Sequence, residues 1–341
     1  MIIKGINQTR ILFFFFFSFF LCSNLNAQEE SFKDFKKSGV EKAKKTSIKK
    51  PNILTDTSKK FSGDLFADLD EQNKNDAKNK TDIVTAIFKT TRLINGHSIE
   101  NVGKGVLDVR INHRFSKITD GAYGLWGMDA ALMRMGVDYG ISDRLMVGIG
   151  RSELQKTFDG FIKYRILRQS TGKVNMPISL SYVGSMQWVT ELSADPTNPR
   201  YYSDRFSFTH QIIIATKVND YFSFQLVPTL THYNNTLNIP GTNNDYYSIG
   251  IGARQRLSKR INLTYEYYAR INGLTGYTNS LSIGVDIETG GHVFQFNFSN
   301  SQAVNERAFI NETSDTWNDG GIHFGFNIAR VFTLKKVKKI L

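Results

Sequence analysis

Cysteine is nearly absent: the 341-residue chain has one, Cys22. It sits in an N-terminal stretch that reads as a secretory signal, with Lys4 and Arg10 ahead of an apolar core and Leu25-Asn26-Ala27 as the cleavage site before Gln28. Bulky Phe19, Phe20 and Leu21 precede Cys22 where a lipoprotein signal has small residues. Removal of residues 1–27 is therefore expected to take away the only thiol, excluding disulfides, thiolate metal sites and a cysteine nucleophile.

Long apolar runs are also missing. The apolar core of residues 11–21 falls short of the ~18 residues a spanning helix needs. Mean hydropathy is −0.30 although 40% of residues are hydrophobic and 13% aromatic, so the apolar residues are dispersed among polar ones and a helical membrane bundle is excluded. The six histidines, at 97, 113, 210, 232, 292 and 323, show no metal-ligand spacing. No metal and no cofactor are expected.

Charge is abundant and unevenly placed. The formal +12 falls by two to +10 once Lys4 and Arg10 leave. Paired lysines at 36–37, 44–45, 49–50 and 59–60 dominate the segment after the signal, which has too few apolar residues to offset its ordering entropy. Residues 28–82 are read as a flexible basic and polar periplasmic segment. A secreted chain seldom meets nucleic acid, so none is expected as a partner, and anionic lipid headgroups are the natural contact for the lysines.

From Val106 onward the texture becomes period-two alternation in segments of roughly ten residues, the mark of half-buried strands. Residues 106–115 show it best: Leu107, Val109, Ile111 and Phe115 share one face, and Asp108, Arg110, Asn112 and Arg114 the other. Eleven further segments follow, at 133–140, 145–150, 160–167, 178–186, 206–215, 222–229, 247–254, 261–270, 281–287, 293–300 and 322–332. Short connections (141–144, 217–221, 257–260, 288–291, with 168–177 slightly longer) alternate with longer ones (116–130, 189–204, 232–245, 301–321). Residues 151–157 and 271–280 are shorter members of the second set. Short turns at one rim and loops at the other indicate an all-β, antiparallel transmembrane β-barrel of about 12 strands over residues 106–332, both ends at the periplasmic rim.

Tyr139, Trp188, Tyr221, Tyr246 and Phe332, near strand ends, are candidates for interface belts. Gly148 and Gly150 suit inward strand positions. Residues 83–92 also alternate, but a thirteenth strand would put the N-terminus on the wrong side. Residues 83–105 are therefore read as a periplasmic entry segment, a pad on the barrel floor or a lumen insert, the first being preferred. A basic tail, 333–341, follows Phe332.

The presumed inner face carries Arg110, Arg114, Arg134, Lys163, Arg165 and Arg270 with Asp108, Asp138, Asp159, Glu266 and Asp286. These residues are expected to line the lumen, either as a field that concentrates small anionic solutes or as paired charges that close the barrel. Twelve strands lie between barrels of roughly eight, filled by side chains, and of sixteen, which hold a channel. His97-Ser98 is the one tempting catalytic pair, but neighbours on an extended chain point oppositely, and no catalytic residue is assigned.

The runs Phe88-Lys89-Thr90-Thr91-Arg92-Leu93-Ile94-Asn95-Gly96-His97-Ser98 and Gly105-Val106-Leu107-Asp108-Val109-Arg110, with His113-Arg114-Phe115, resemble an uncharacterised bacterial family of membrane-bound β-barrel domains of unknown function. Residues 139–148 and 156–164 extend the likeness. It implies a Gram-negative outer-membrane barrel and carries no site residues. Outer-membrane lipid and the barrel-assembly machinery are the implied partners. The expected function is a narrow passive channel for small solutes, anions among them. The alternatives are a plugged scaffolding barrel whose residues 28–105 bind a periplasmic partner, or a lipid or ester hydrolase.

Overall fold

Alternating apolar and polar residues give each strand one wet and one dry face, and closing the sheet satisfies every edge, as a bilayer demands. In the computed structural model, residues 80–191, 201–235, 243–290 and 292–334 are described. All belong to one compact unit, Gln72–Leu341. The sequence readings for residues 1–27, most of 28–82 and all but the start of 333–341 lie outside the described residues.

A two-residue-repeat strand pattern becomes β2 (Val106–Lys117), β3 (Ala131–Gly140), β4 (Leu145–Ser152), β5 (Thr157–Leu167), β7 (Ser179–Val189), β8 (Phe206–Lys217), β9 (Phe222–Tyr233), β10 (Asp245–Arg256), β11 (Ile261–Arg270), β12 (Ser280–Thr289), β13 (His292–Ser299) and β14 (His323–Thr333). These twelve form one closed antiparallel barrel. Closure is made by β2 against β14, with Ile111 opposite Ile328. Two short strands, β1 (Thr81–Ile83) and β6 (Ser170–Gly172), pair outside the barrel. Thus the longer turn at 168–177 contains a strand that its sequence did not suggest.

Three of the short turns share one chemistry. Ser142 Oγ accepts the N–H of Arg144 and Leu145, Asn219 Oδ1 those of Tyr221 and Phe222, and Ser258 Oγ those of Arg260 and Ile261. A short polar side chain in second place thereby replaces the hydrogen bonds that the ending strand cannot supply.

The outer wall carries Met135, Ile149, Ile162, Ile212 and Phe298, all exposed, and the inner wall mostly Ser, Thr, Asn, Gln and charged residues, nearly all buried. His113 faces outward, stacked 4.8 Å from Phe326. His210 does likewise, its Nδ1 2.7 Å from Tyr182 Oη. One belt residue is corrected: Tyr246 is buried and packs edge-on against Tyr233 at 5.5 Å. Its neighbour Tyr247 takes the outward place, because a shift of one residue exchanges faces.

Candidate functional site

The segment before β2 enters the barrel interior instead of forming a turn outside it. Asn95-Gly96, a turn dipeptide, folds residues 90–98 into a hairpin: Leu93 N–H donates to Gly96 O at 2.8 Å, Ser98 N–H to Thr91 O at 3.0 Å, and Arg92 bridges His97. Every residue from 90 to 99 is buried. Glycine is required at 96, since a Cβ there would stand 2.3 Å from Tyr268 Oη.

Inward side chains from around the barrel hold this hairpin. Glu266 accepts the backbone N–H of Ile94, Asn95 and Gly96 at 3.2, 3.1 and 2.9 Å. Gln295 donates to Leu93 O at 2.7 Å, Asn327 to Ile94 O at 3.0 Å and Gln225 to His97 O at 2.9 Å. Below it, Ile87, Phe88, Leu93, Ile99 and Val102 pack on inward Met146, Phe161, Val183, Ile213, Ala215 and Val227, which anchors one side of the hairpin in an apolar patch.

A second segment, residues 300–322, enters from the long-loop rim. Its short helix α1 (Glu306–Asn311) is capped by Asn305, whose side chain accepts the Ala308 N–H at 2.9 Å. Phe309 packs edge-on against Tyr268 at 5.1 Å, and Tyr233 Oη donates to Glu312 at 3.1 Å. The two segments meet where Arg92 forms an ion pair with Glu306, both side chains fully inside. His97 Nε2 lies 3.2 Å from the same carboxylate without hydrogen-bond geometry, its ring 4.5 Å from Phe161.

Electrostatics fix the charges of this latch, whose groups lie on no membrane-spanning strand. Burial and then Arg92 push His97 well below its ordinary 6.5. Burial opposes ionisation of Glu306, yet Arg92 outweighs it and holds the carboxyl well below the usual range. The latch is therefore an ion pair beside a neutral imidazole. Arg92 and Lys163 oppose protonation of His97, and Glu306 favours it. Separation of the segments would return His97 to ~6.5, so the separated state binds the extra proton as pH falls through that value. Acid should favour opening by up to about tenfold per pH unit below 6.5. Single-channel open probability between pH 7.5 and 5 measures this, and His97→Gln should flatten it; an equal slope in the variant would refute the assignment.

Every charged position expected on the inner face is inward, but none borders an open bore. Arg110 donates to Asp108 at 2.9 Å and to Thr91 at 2.8 Å, and Thr91 Oγ lies 3.3 Å from Asp138. Arg114 donates to Asn95 at 2.6 Å and Asn327 at 2.8 Å. Arg134 and Asp159 form a two-point ion pair. Lys163 donates to the carbonyls of Ser98 and Glu100, and Arg165 to Ile99 O and Glu100. Asp286 accepts from Gln295 at 3.0 Å. Arg270, at the loop end of β11, donates to the carbonyls of Leu274 and Asn311.

Sequence reasoning missed Arg92, Glu306 and Glu100 as functional residues. Asn95-Gly96 was the one available signal for the hairpin; nothing local marks Glu306. Ser98 Oγ donates to Thr90 O at 2.5 Å while His97 turns to Glu306, so the structure gives the tempting pair separate partners. Among the described residues no group of three or more His, Asp or Glu could hold a metal.

A closed antiparallel barrel with an apolar outer wall and a polar, filled interior defines a membrane β-barrel. The chain belongs to the family described as a membrane bound beta barrel domain (DUF5777), whose model matches residues 88–332. Among solved structures it is similar in fold to the NanC porin, at 9% identity over 67% of this chain and 100% of that one, with a TM-score of 0.43. It is similar also to the KdgM porin (9%, 67% and 99%, 0.40) and to an outer membrane channel from Pseudomonas putida F1 (12%, 69% and 98%, 0.40). No curated protein matches the chain.

Proposed function

We propose that the protein is a passive outer-membrane channel for small hydrophilic solutes, without catalytic activity, and that it is closed in this conformation. One observation carries the reading: what fills the lumen is not wall but two inserted segments, joined to each other by the Arg92–Glu306 pair. Their contacts with the wall are largely hydrogen bonds to Ser, Thr, Asn, Gln and charged side chains, which water can replace. Displacement would thus leave a hydrophilic bore, in which cations outnumber acids and small anions would be favoured.

The experiment is single-channel recording of refolded full-length protein in planar bilayers across a salt gradient. Rare discrete openings are expected, with an anion preference that Arg110→Ala or Arg165→Ala reduces. A second reading, a permanently plugged scaffold, draws on the apolar packing beneath the hairpin. Silence in both the wild type and variants that break the latch would favour it and overturn the channel.

A further inference from the structure

The outer wall has a hollow that folding does not require. Strand register lines up outward residues in rows: Val109, Val137, Ile149, Gly160 and Met186 form one, and Met135, Arg151, Phe158 and Trp188 the row nearer the long-loop rim. Gly160 is the gap in the first row. The inward glycines nearby are obligatory, since a Cβ at Gly136, Gly148 or Gly150 would meet side-chain atoms at 2.7, 2.3 and 2.4 Å. A Cβ at Gly160 would find nothing nearer than Gly148 O at 3.7 Å and Ile149 Cγ2 at 3.9 Å, and no positive φ demands glycine there. The gap left by the missing side chain lies in the floor of an open hollow of about 470 Å³, lined by Val137, Ile149, Phe158, Met186 and Trp188.

Two polar groups border this apolar hollow without partners. Arg151, exposed and one residue from the end of β4, makes no ion pair among the described residues, and its guanidinium lies 5.7 Å from the Phe158 ring centre. The nearby acids are engaged elsewhere: Glu153 accepts the Met133 N–H at 2.9 Å, and Asp159 is paired inside with Arg134. The indole N–H of Trp188 is shielded and has no acceptor. A lone cation on a lipid-facing wall is costly unless it reaches the interface and finds an anion.

We propose that this hollow is a specific site for an anionic lipid, with an acyl chain over Gly160 and the phosphate on Arg151. The location supplies the apolar chain, and the unpaired guanidinium supplies the sign of the headgroup. This site is independent of whether the lumen conducts.

Trp188 is a built-in reporter, because it alone of the three tryptophans lies on a barrel strand. Full-length protein in nanodiscs would be titrated with chain-brominated phosphatidylglycerol or chain-brominated phosphatidylcholine, and quenching of tryptophan fluorescence followed. The expected result is saturation at low mole fraction with about a fivefold preference for the anionic lipid. Arg151→Gln should remove the preference while chain quenching persists. Gly160→Leu, which closes the gap in the row and raises the floor of the hollow, should remove saturable quenching by both lipids, with Gly160→Ala as a milder change if the larger residue impairs folding. Equal, non-saturating quenching of the wild type by the two lipids would mean ordinary annular lipid and overturn the proposal, as would an unchanged preference in Arg151→Gln.

Discussion

Replacing Glu306 with alanine should convert a mostly closed barrel into a mostly open one. The substitution leaves the Arg92 guanidinium buried without its ion-pair partner, since both side chains are almost wholly shielded and, among the described residues, Glu306 is the one acid that forms an ion pair with it. Stranding one member of a buried ion pair costs about 3–5 kcal/mol, which at ~1.4 kcal/mol per factor of ten displaces an equilibrium by roughly two to three and a half orders of magnitude. That energy should open the latch before it unfolds the wall, because none of residues 300–322 belongs to a strand of the closed barrel. The expected record is a rise in open probability of at least tenfold in planar bilayers, with the barrel's resistance to unfolding little changed. Removing both charges in Arg92→Met/Glu306→Leu should restore closure, since no charge is then stranded. An open probability unaffected by Glu306→Ala would show that the apolar packing of the hairpin, not the ion pair, holds the lumen shut.

The wall could be read from the chain because membrane strands impose a strict two-residue alternation, and an exchange of faces in β2, β3 or β5 would put a charge such as Arg114 or Lys163 into lipid. Where alternation lapses, legibility lapses too. Tyr246-Tyr247 offers the same chemistry at both positions, and only the pairing of Tyr246 with Thr231 and of Tyr247 with Leu230 assigns the faces. Residues 83–92 alternate as convincingly as a strand, yet after Ile83 they join no strand of the sheet; what decides their place is the hairpin they lead into, whose N–H groups at 94–96 Glu266 accepts, and the fit of Ile87 and Phe88 to the patch around Met146 and Val183. The bonds to Glu266 join positions at least 170 residues apart. Glu306 is the extreme case: its partner lies 214 residues away, and a single glutamate in a polar loop is indistinguishable beforehand from a solvated one.

Cutting the Arg134–Asp159 pair should damage the wall itself. Arg134 rises from β3 and reaches Asp159 on β5 by crossing β4 over Gly150, where any Cβ would lie 2.4 Å from a guanidinium nitrogen. Gly136 clears its other side, a Cβ there standing 2.7 Å from the second nitrogen. The two glycines leave a channel shaped for the guanidinium and bring no polar side chain that could replace the lost carboxylate. Asp159→Ala should therefore cost about 3–5 kcal/mol, read as a lower denaturant midpoint and a smaller heat-modifiable fraction after refolding into lipid. The apolar pair Arg134→Met/Asp159→Leu should recover most of that loss, since desolvating two charges offsets much of what their attraction contributes. Gly150→Val should resemble Asp159→Ala although it leaves both charges in place, because it bars the arginine from its crossing. If Gly150→Val refolds with wild-type stability, the guanidinium reaches its partner by another route and the cradle is not what positions it.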